Sequence, residues 1–208
     1  LRFLAQRYNI PVEERELSAE EIQQKNERES LMAVTAYAVT YFSEQLQSAQ
    51  GKAVGLSYLR ERGFRDDTIK KFQLGFSPED RRALTRAAQK NGYKRDYLVK
   101  TGLSIERDGD LFDRFSGRVI FPIHSLSGNA IGFGGRTLKS DKNIAKYLNS
   151  PESEIYHKSR VLYGLFQAKK SIVTQERCYL VEGYTDVISM HQAGIHNVVA
   201  SSGTALTP

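Results

Sequence analysis

The sequence has no tryptophan, two methionines and a single cysteine among its 208 residues. One cysteine excludes an internal disulfide, and its place in the apolar run Cys178-Tyr179-Leu180-Val181 predicts a buried, inert thiol. A zinc site of Cys and His within the chain is excluded too, because His124, His157, His191 and His196 show no metal-ligand spacing. Those histidines are expected on the surface or in loops. No stretch approaches the ~18 apolar residues of a membrane span, and Leu1 to Tyr8 has helical spacing without signal-peptide architecture. The expectation is a soluble, cytoplasmic protein with no membrane partner. Internal repeats and low-complexity tracts are also lacking.

What is present is enough apolar material, 40% of residues, for one large or two small cores. The net charge of +6 is unevenly spread. From Arg114 to Lys170 ten Lys/Arg face three Asp/Glu, a surplus of +7, so the remainder sums to about −1. A localised basic surplus interleaved with Tyr, Phe and Gly suits a polyanion such as nucleic acid or a triphosphate, and equally suits a solvated basic face.

Along the chain, Asn9-Ile10-Pro11 ends the opening helix, and the charged, Gln-rich stretch from Glu13 to Glu29 reads as a linker or an exposed helix. From Glu27 to Gln47, Leu31, Val34, Ala38, Tyr41 and Phe42 make a broad apolar helical face. Further helices are predicted over Val54 to Arg62, stopped by Gly63, over Asp66 to Phe72, and from a Ser77-Pro78 cap to about Asn91. From Leu103 the period shortens to that of strands: Asp108-Gly109 is a hairpin turn, and Arg118 to His124 and Ala130 to Leu138 are strands. A loop then leads into a helix within Tyr156 to Lys170.

The C-terminal stretch has the pattern of one βαβ unit. An apolar run from Cys178 reaches Glu182, turns at Gly183, passes through a helix that Gly194 can close, and returns as a parallel strand over Asn197 to Ser201. Glu182 and the Ser201-Ser202-Gly203-Thr204 loop fall at the carboxyl ends of the two strands, where open α/β sheets bind ligands. Glu182 and Asp186 are oxygen ligands suited to magnesium, although Asp186 can equally serve the helix N-terminus. Two glycines before Arg136 permit close approach of a phosphate, and Lys146-Tyr147 and His157-Lys158 add ammonium groups and a ring able to stack on a base. Asn149-Ser150-Pro151-Glu152 is a turn signal. No Lys-Ser/Thr pair follows the Ser202-Gly203 loop, so it is not a P-loop.

The run Glu182-Gly183-Tyr184-Thr185-Asp186 resembles the opening motif of the Toprim fold. With Arg118-Val-Ile-Phe-Pro-Ile, Ile131-Gly-Phe-Gly-Gly-Arg136, Lys146-Tyr-Leu-Asn-Ser-Pro151 and Tyr156-His-Lys158, the chain resembles the RNA-polymerase domain of bacterial replicative DNA primases. That resemblance implies an α+β fold: a helical subdomain plus a small mixed sheet, then the first βαβ unit of an α/β Toprim core, cut short at the C-terminus. The implied division is 1–26, the tail of a zinc-binding module and a linker; 27–174, the N-terminal subdomain; and 175–208, the start of Toprim.

The implied activity is synthesis of short RNA primers on single-stranded DNA from ribonucleoside triphosphates, giving an RNA–DNA product with Mg2+ or Mn2+ at the carboxylates. Zinc is implied only in the preceding module, and a replicative helicase only through a further C-terminal domain. The implied roles are Glu182 as metal ligand, Asp186 in direct or indirect support, and Lys158 as a catalytic cation. Arg118, Arg136, Lys146, Tyr147, Asn149, Tyr184, Ser202 and Gly203 are the implied nucleotide and nucleic-acid contacts. The chain alone lacks the remaining Asp-x-Asp pairs and is expected to be inactive. A Toprim nuclease or topoisomerase, or a non-catalytic module binding single strands, are the alternatives.

Overall fold

The computed structural model describes residues 5, 7, 8, 18–141 and 143–201. Most of the expected opening helix, and the Ser202 and Gly203 candidates, lie outside the described residues.

Helix α1, Ala19–Leu46, begins eight residues before Glu27, the expected start of the segment that carries the apolar face. A reciprocal cap starts it: Ser18 Oγ accepts from the Glu21 N–H at 3.2 Å, and Glu21 Oε2 accepts from the Ser18 N–H at 2.9 Å. Much of the Gln-rich stretch is therefore exposed helix rather than linker. The apolar stripe is buried from Leu31 to Leu46.

The second expected helix is divided into a π-helical turn, Gly51–Leu56, and α2, Ser57–Glu61. Glycine permits this wider turn at close quarters. A Cβ on Gly51 would collide with the Gln45 carbonyl, and one on Gly55 would meet the Phe76 ring at 2.9 Å. Gly63, at φ +78°, ends α2, and α3 follows at Asp66–Lys71.

Two elements ahead of the hairpin were not anticipated. Residues Gly75–Ser77 form strand β1 instead of leading into a cap, and Arg95–Lys100 form a short helix, α5. Helix α4 accordingly starts late, at Ala83–Lys90, and draws its cap from elsewhere in the chain. Asp113 accepts from the Leu84 and Thr85 N–H groups at 2.8 and 2.9 Å and from the Thr85 hydroxyl at 2.6 Å.

Strands β2, Ser104–Arg107, and β3, Asp110–Asp113, pair as the expected hairpin, with Asp108 and Gly109 both at positive φ. Strands β4, Arg118–His124, β5, Ala130–Thr137, and β6, Tyr147–Asn149, complete a four-stranded sheet in the order β1-β4-β5-β6. All its pairings are antiparallel, so the sheet is not mixed; β4, β5 and β6 follow one another through loops, whereas α4, α5 and the β2–β3 hairpin intervene between β1 and β4.

Helix α6, Leu165–Gln175, precedes the C-terminal unit: β7, Tyr179–Val181; α7, Tyr184–Gln192; and β8, Val198–Ala200. Strands β7 and β8 pair in parallel, and Gly194 at φ +93° follows the end of α7, as expected of βαβ. One face of the sheet packs Phe133 edge-on against Phe42 of α1, ring centres 5.5 Å apart. From the other side, Tyr184 stacks on Phe121 at 5.2 Å and 13°. A single buried cluster links Phe72, Phe76 and Phe121 to Tyr184, Val187, Ile188 and Val198, so the βαβ unit shares its core with the rest of the fold.

Three expectations about single residues are corrected. Cys178 is exposed, because β7 lies at the margin of a two-stranded sheet where Tyr179 and Leu180 are also exposed. His124 and His191 are buried rather than superficial. His124 ends β4 with Nε2 2.7 Å from Gln73 Oε1, and His191 meets the Phe72 ring edge-on.

Candidate active-site cleft and nucleic-acid interface

An open cleft of about 840 Å3 separates β6 and the loop after it from the junction of β7 and α7. Strand β7 delivers Glu182 to one wall, exposed and without a hydrogen bond or ion pair to any described residue. Gly183, in an extended conformation, starts α7, and Asp186 Oδ2 accepts its N–H at 3.0 Å. Asp186 thus caps its own helix while its carboxylate remains exposed at the cleft.

Tyr184 is buried between the sheet and the βαβ unit, and its hydroxyl donates to Asn149 Oδ1 at 2.8 Å. Tyr184 and Asn149 thereby join the two walls. The opposite wall brings Tyr147, Asn149 and Lys158 to the same cleft. Glu152 lies beside Lys158, its carboxyl held below the usual range by the Lys158 N–H at 2.9 Å and then by the His157 ring at 3.2 Å.

Arg136 and Lys146 line a neighbouring groove of about 780 Å3 between α2 and the loop joining β5 to β6. The Arg136 guanidinium lies between two tyrosines, 4.9 Å from the Tyr58 ring centre and 5.3 Å from that of Tyr147. Its Nη1 donates to the Tyr147 hydroxyl at 2.8 Å. Tyr147 is therefore the ridge between groove and cleft.

Arg118 belongs to neither. It is 8% exposed, and Nη1 donates to the carbonyls of Gly135, Ala145 and Lys146 at 3.1, 3.0 and 3.5 Å. The side chain braces the base of the β5–β6 loop, and its burial argues against a place on the nucleic-acid face.

Sequence reasoning missed Arg114, which reaches the cleft with Nε donating to the Asn149 carbonyl at 3.2 Å. Nothing in its neighbours' spacing marks it, since it follows a hairpin strand. Thr185 and Ser201 also line the cleft, and only their adjacency to the strand ends of the βαβ unit pointed there.

The family model for the N-terminal domain of the DNA primase catalytic core matches residues 41–169, and that of the Toprim domain matches 176–208. The DNA primase of Halalkalibacterium halodurans is 41% identical over 206 residues, covering 98% of this chain and 34% of that protein. The crystal structure of the RNA polymerase domain of Mycobacterium tuberculosis primase DnaG superposes with a TM-score of 0.82 at 39% identity, over 87% of this chain and 59% of that one. A DnaG primase catalytic domain bound to ssDNA gives a TM-score of 0.81 at 37% identity, over 88% of this chain and 56% of that one. The chain spans about a third of the length of the curated relatives it matches.

Proposed function

The chain belongs to the DNA primase catalytic-core family, and from that premise we propose that it supplies the template-binding face and the first acidic ligand of a primer-synthesising enzyme. The reaction is nucleotidyl transfer from ribonucleoside triphosphates along a single-stranded DNA template. The observation that carries this reading is the exposed, uncommitted Glu182 in a cleft that also holds Lys158 and the Tyr147 ridge. The match of residues 41–169 to the primase core weighs against a Toprim nuclease or topoisomerase.

A divalent ion fits the chemistry of this wall. Magnesium takes one or two carboxylates and fills its remaining positions with water and substrate phosphate, and Glu182 with Asp186 one turn on are donors of that kind. Such an ion, when bound, supplies charge neutralisation to phosphate oxygens. Lys158 adds a fixed positive charge from the facing wall, where electrostatic preorganisation acts on a phosphate. Tyr147 presents its ring to a base, and Arg136 behind it offers a fork to the template backbone. Ser202 and Gly203, which follow β8 in the sequence, are retained in this reading as phosphate contacts.

The test is Glu182→Gln in the full-length enzyme. Primer synthesis is expected to be lost while affinity for single-stranded DNA stays within about twofold, because the change removes a charge from the cleft and none from the groove. Near-normal synthesis would reject the ligand role.

A further inference from the structure

A small pocket of about 290 Å3 lies behind Arg114, outside the groove that carries Arg136. Arg81, Arg114, Arg118 and Lys139 line it, and one carboxylate, Glu79, opposes them. Four cations against one carboxylate leave a surplus of three positive charges. Glu79 is already engaged with Lys139 at 3.2 Å.

The two inner arginines are the informative pair. Arg118 is almost fully buried, yet its partners are backbone carbonyls and no described carboxylate pairs with it. Arg114 likewise gives Nε to a carbonyl. Burial lowers the pKa of both guanidiniums from the usual arginine value. Carbonyl dipoles offset only part of the cost of desolvating a cation, so adjacent unmatched guanidiniums favour a bound anion. Each fork has donors beyond those given to carbonyls, in the planar geometry that matches phosphate oxygens. Arg81 and Lys139, both exposed, add charge at the rim without the cost of burial.

We propose that this pocket binds a di- or triphosphate group, carried by a nucleotide or as free pyrophosphate, at a place separate from the Glu182 cleft. A surplus of three charges fits such a group better than a monoanion. Arg114 lines both the pocket and the cleft, so an occupant would lie against the same guanidinium that borders the proposed reaction site. Lys139 and Ile144 line both the pocket and the Arg136 groove, so occupancy would also brace the loop that shapes that groove. The proposal does not depend on primer synthesis.

Calorimetric titration of the chain with sodium pyrophosphate, in chelator to remove divalent ions, tests it. Saturable binding is expected, weakened about tenfold or more by Arg81→Gln with Lys139→Gln, since each removes a charge-assisted contact. Both side chains are exposed, so the double variant should fold, which circular dichroism can check. Glu182→Gln with Lys158→Gln is expected to leave this binding unchanged. Absence of saturable binding overturns the proposal, as does binding that survives the rim variant or falls equally with the cleft variant. Parallel titrations with adenosine triphosphate and adenosine identify the source. Equal affinity for triphosphate and pyrophosphate assigns the pocket to the phosphate group alone, whereas a tighter, rim-dependent triphosphate assigns it to the nucleotide.

Discussion

The ring of Tyr184 occupies the space that a Cβ on Gly134 would need, with Cε2 and Cζ each 2.5 Å from that position. Strand β5 and the first residue of α7 therefore meet backbone to ring. The same ring is stacked on Phe121 and tied through its hydroxyl to Asn149, so the place where α7 begins, and with it Glu182, follows from a missing methyl group. Gly134→Ala is expected to cost about 1–3 kcal/mol by overpacking and to shift the start of α7. Urea unfolding measures the first effect, and amide exchange at Gly183 and Tyr184 the second. Wild-type behaviour in both would show that the ring has room to move.

The far end of α7 is held differently. Gln192 donates through Nε2 to the Gly63 carbonyl at 2.8 Å and accepts the Arg65 N–H on Oε1, also at 2.8 Å. Gln192→Ala removes both of these side-chain bonds and leaves the longer one from Arg65 Nη2 to the Gln192 carbonyl at 3.4 Å, for an expected loss of about 1–2 kcal/mol. Faster hydrogen exchange confined to α7 and residues 63–65 is the expected signature. Uniform acceleration across the protein would point to general destabilisation instead.

Within the basic stretch, charge and function should separate by side-chain direction. Arg136→Ala and Lys146→Ala are each expected to weaken single-stranded DNA binding for all sequences and to make the salt slope shallower by ~0.7 per lost phosphate contact. Lys90→Ala, an exposed lysine at the end of α4 and away from the groove, should leave the slope unchanged. Arg118→Ala should lower stability more than it changes the slope. Titrations at several salt concentrations giving one slope for Arg136→Ala, Lys146→Ala and Lys90→Ala would reduce the groove to a solvated face.

Two buried histidines make stability depend on mild acid. Burial lowers the His124 pKa from 6.5 to about 4, and burial, then Lys71 and His196, lowers that of His191 to about 4. Between 6.5 and about 4 the unfolded chain binds protons that the folded chain refuses, so folding stability is complete above 6.5 and lost as pH falls through that window. Each ring should remove up to about 2 kcal/mol by pH 5. Urea midpoints at pH 7 and pH 5 check this, with His124→Gln expected to flatten the difference by about half. Equal midpoints in the parent chain would mean that both rings protonate without penalty.

The parts of this molecule that were legible in sequence are those whose cause is local. Strands β4 and β5 lie where their apolar runs place them, and the βαβ unit follows from an apolar run, a turn at Gly183 and a stop at Gly194. Glu182, Asp186, Lys158, Tyr147 and Asn149 do share a cleft. What escaped has causes elsewhere in the chain. Strand β6 is three residues long and exists through pairing with β5, so no period reveals it. Arg118 adds to a charge count whichever way it points, and its inward turn is decided by the carbonyls of a loop 27 and 28 residues later. His124 reads as a loop histidine until Gln73, distant in sequence, offers it a partner.

The remote cap on α4 has a consequence for the order in which the chain assembles. An eight-residue helix is too short to persist alone, and the N–H groups at its start are received by Asp113, which is not in place until β2 and β3 have paired. Formation of α4 is thus subordinate to a hairpin that follows it in the chain, so a nascent polypeptide that has emerged only as far as Asn91 holds this segment as coil. Asp113→Ala should accordingly speed unfolding of α4 and slow refolding only if the hairpin belongs to the folding nucleus.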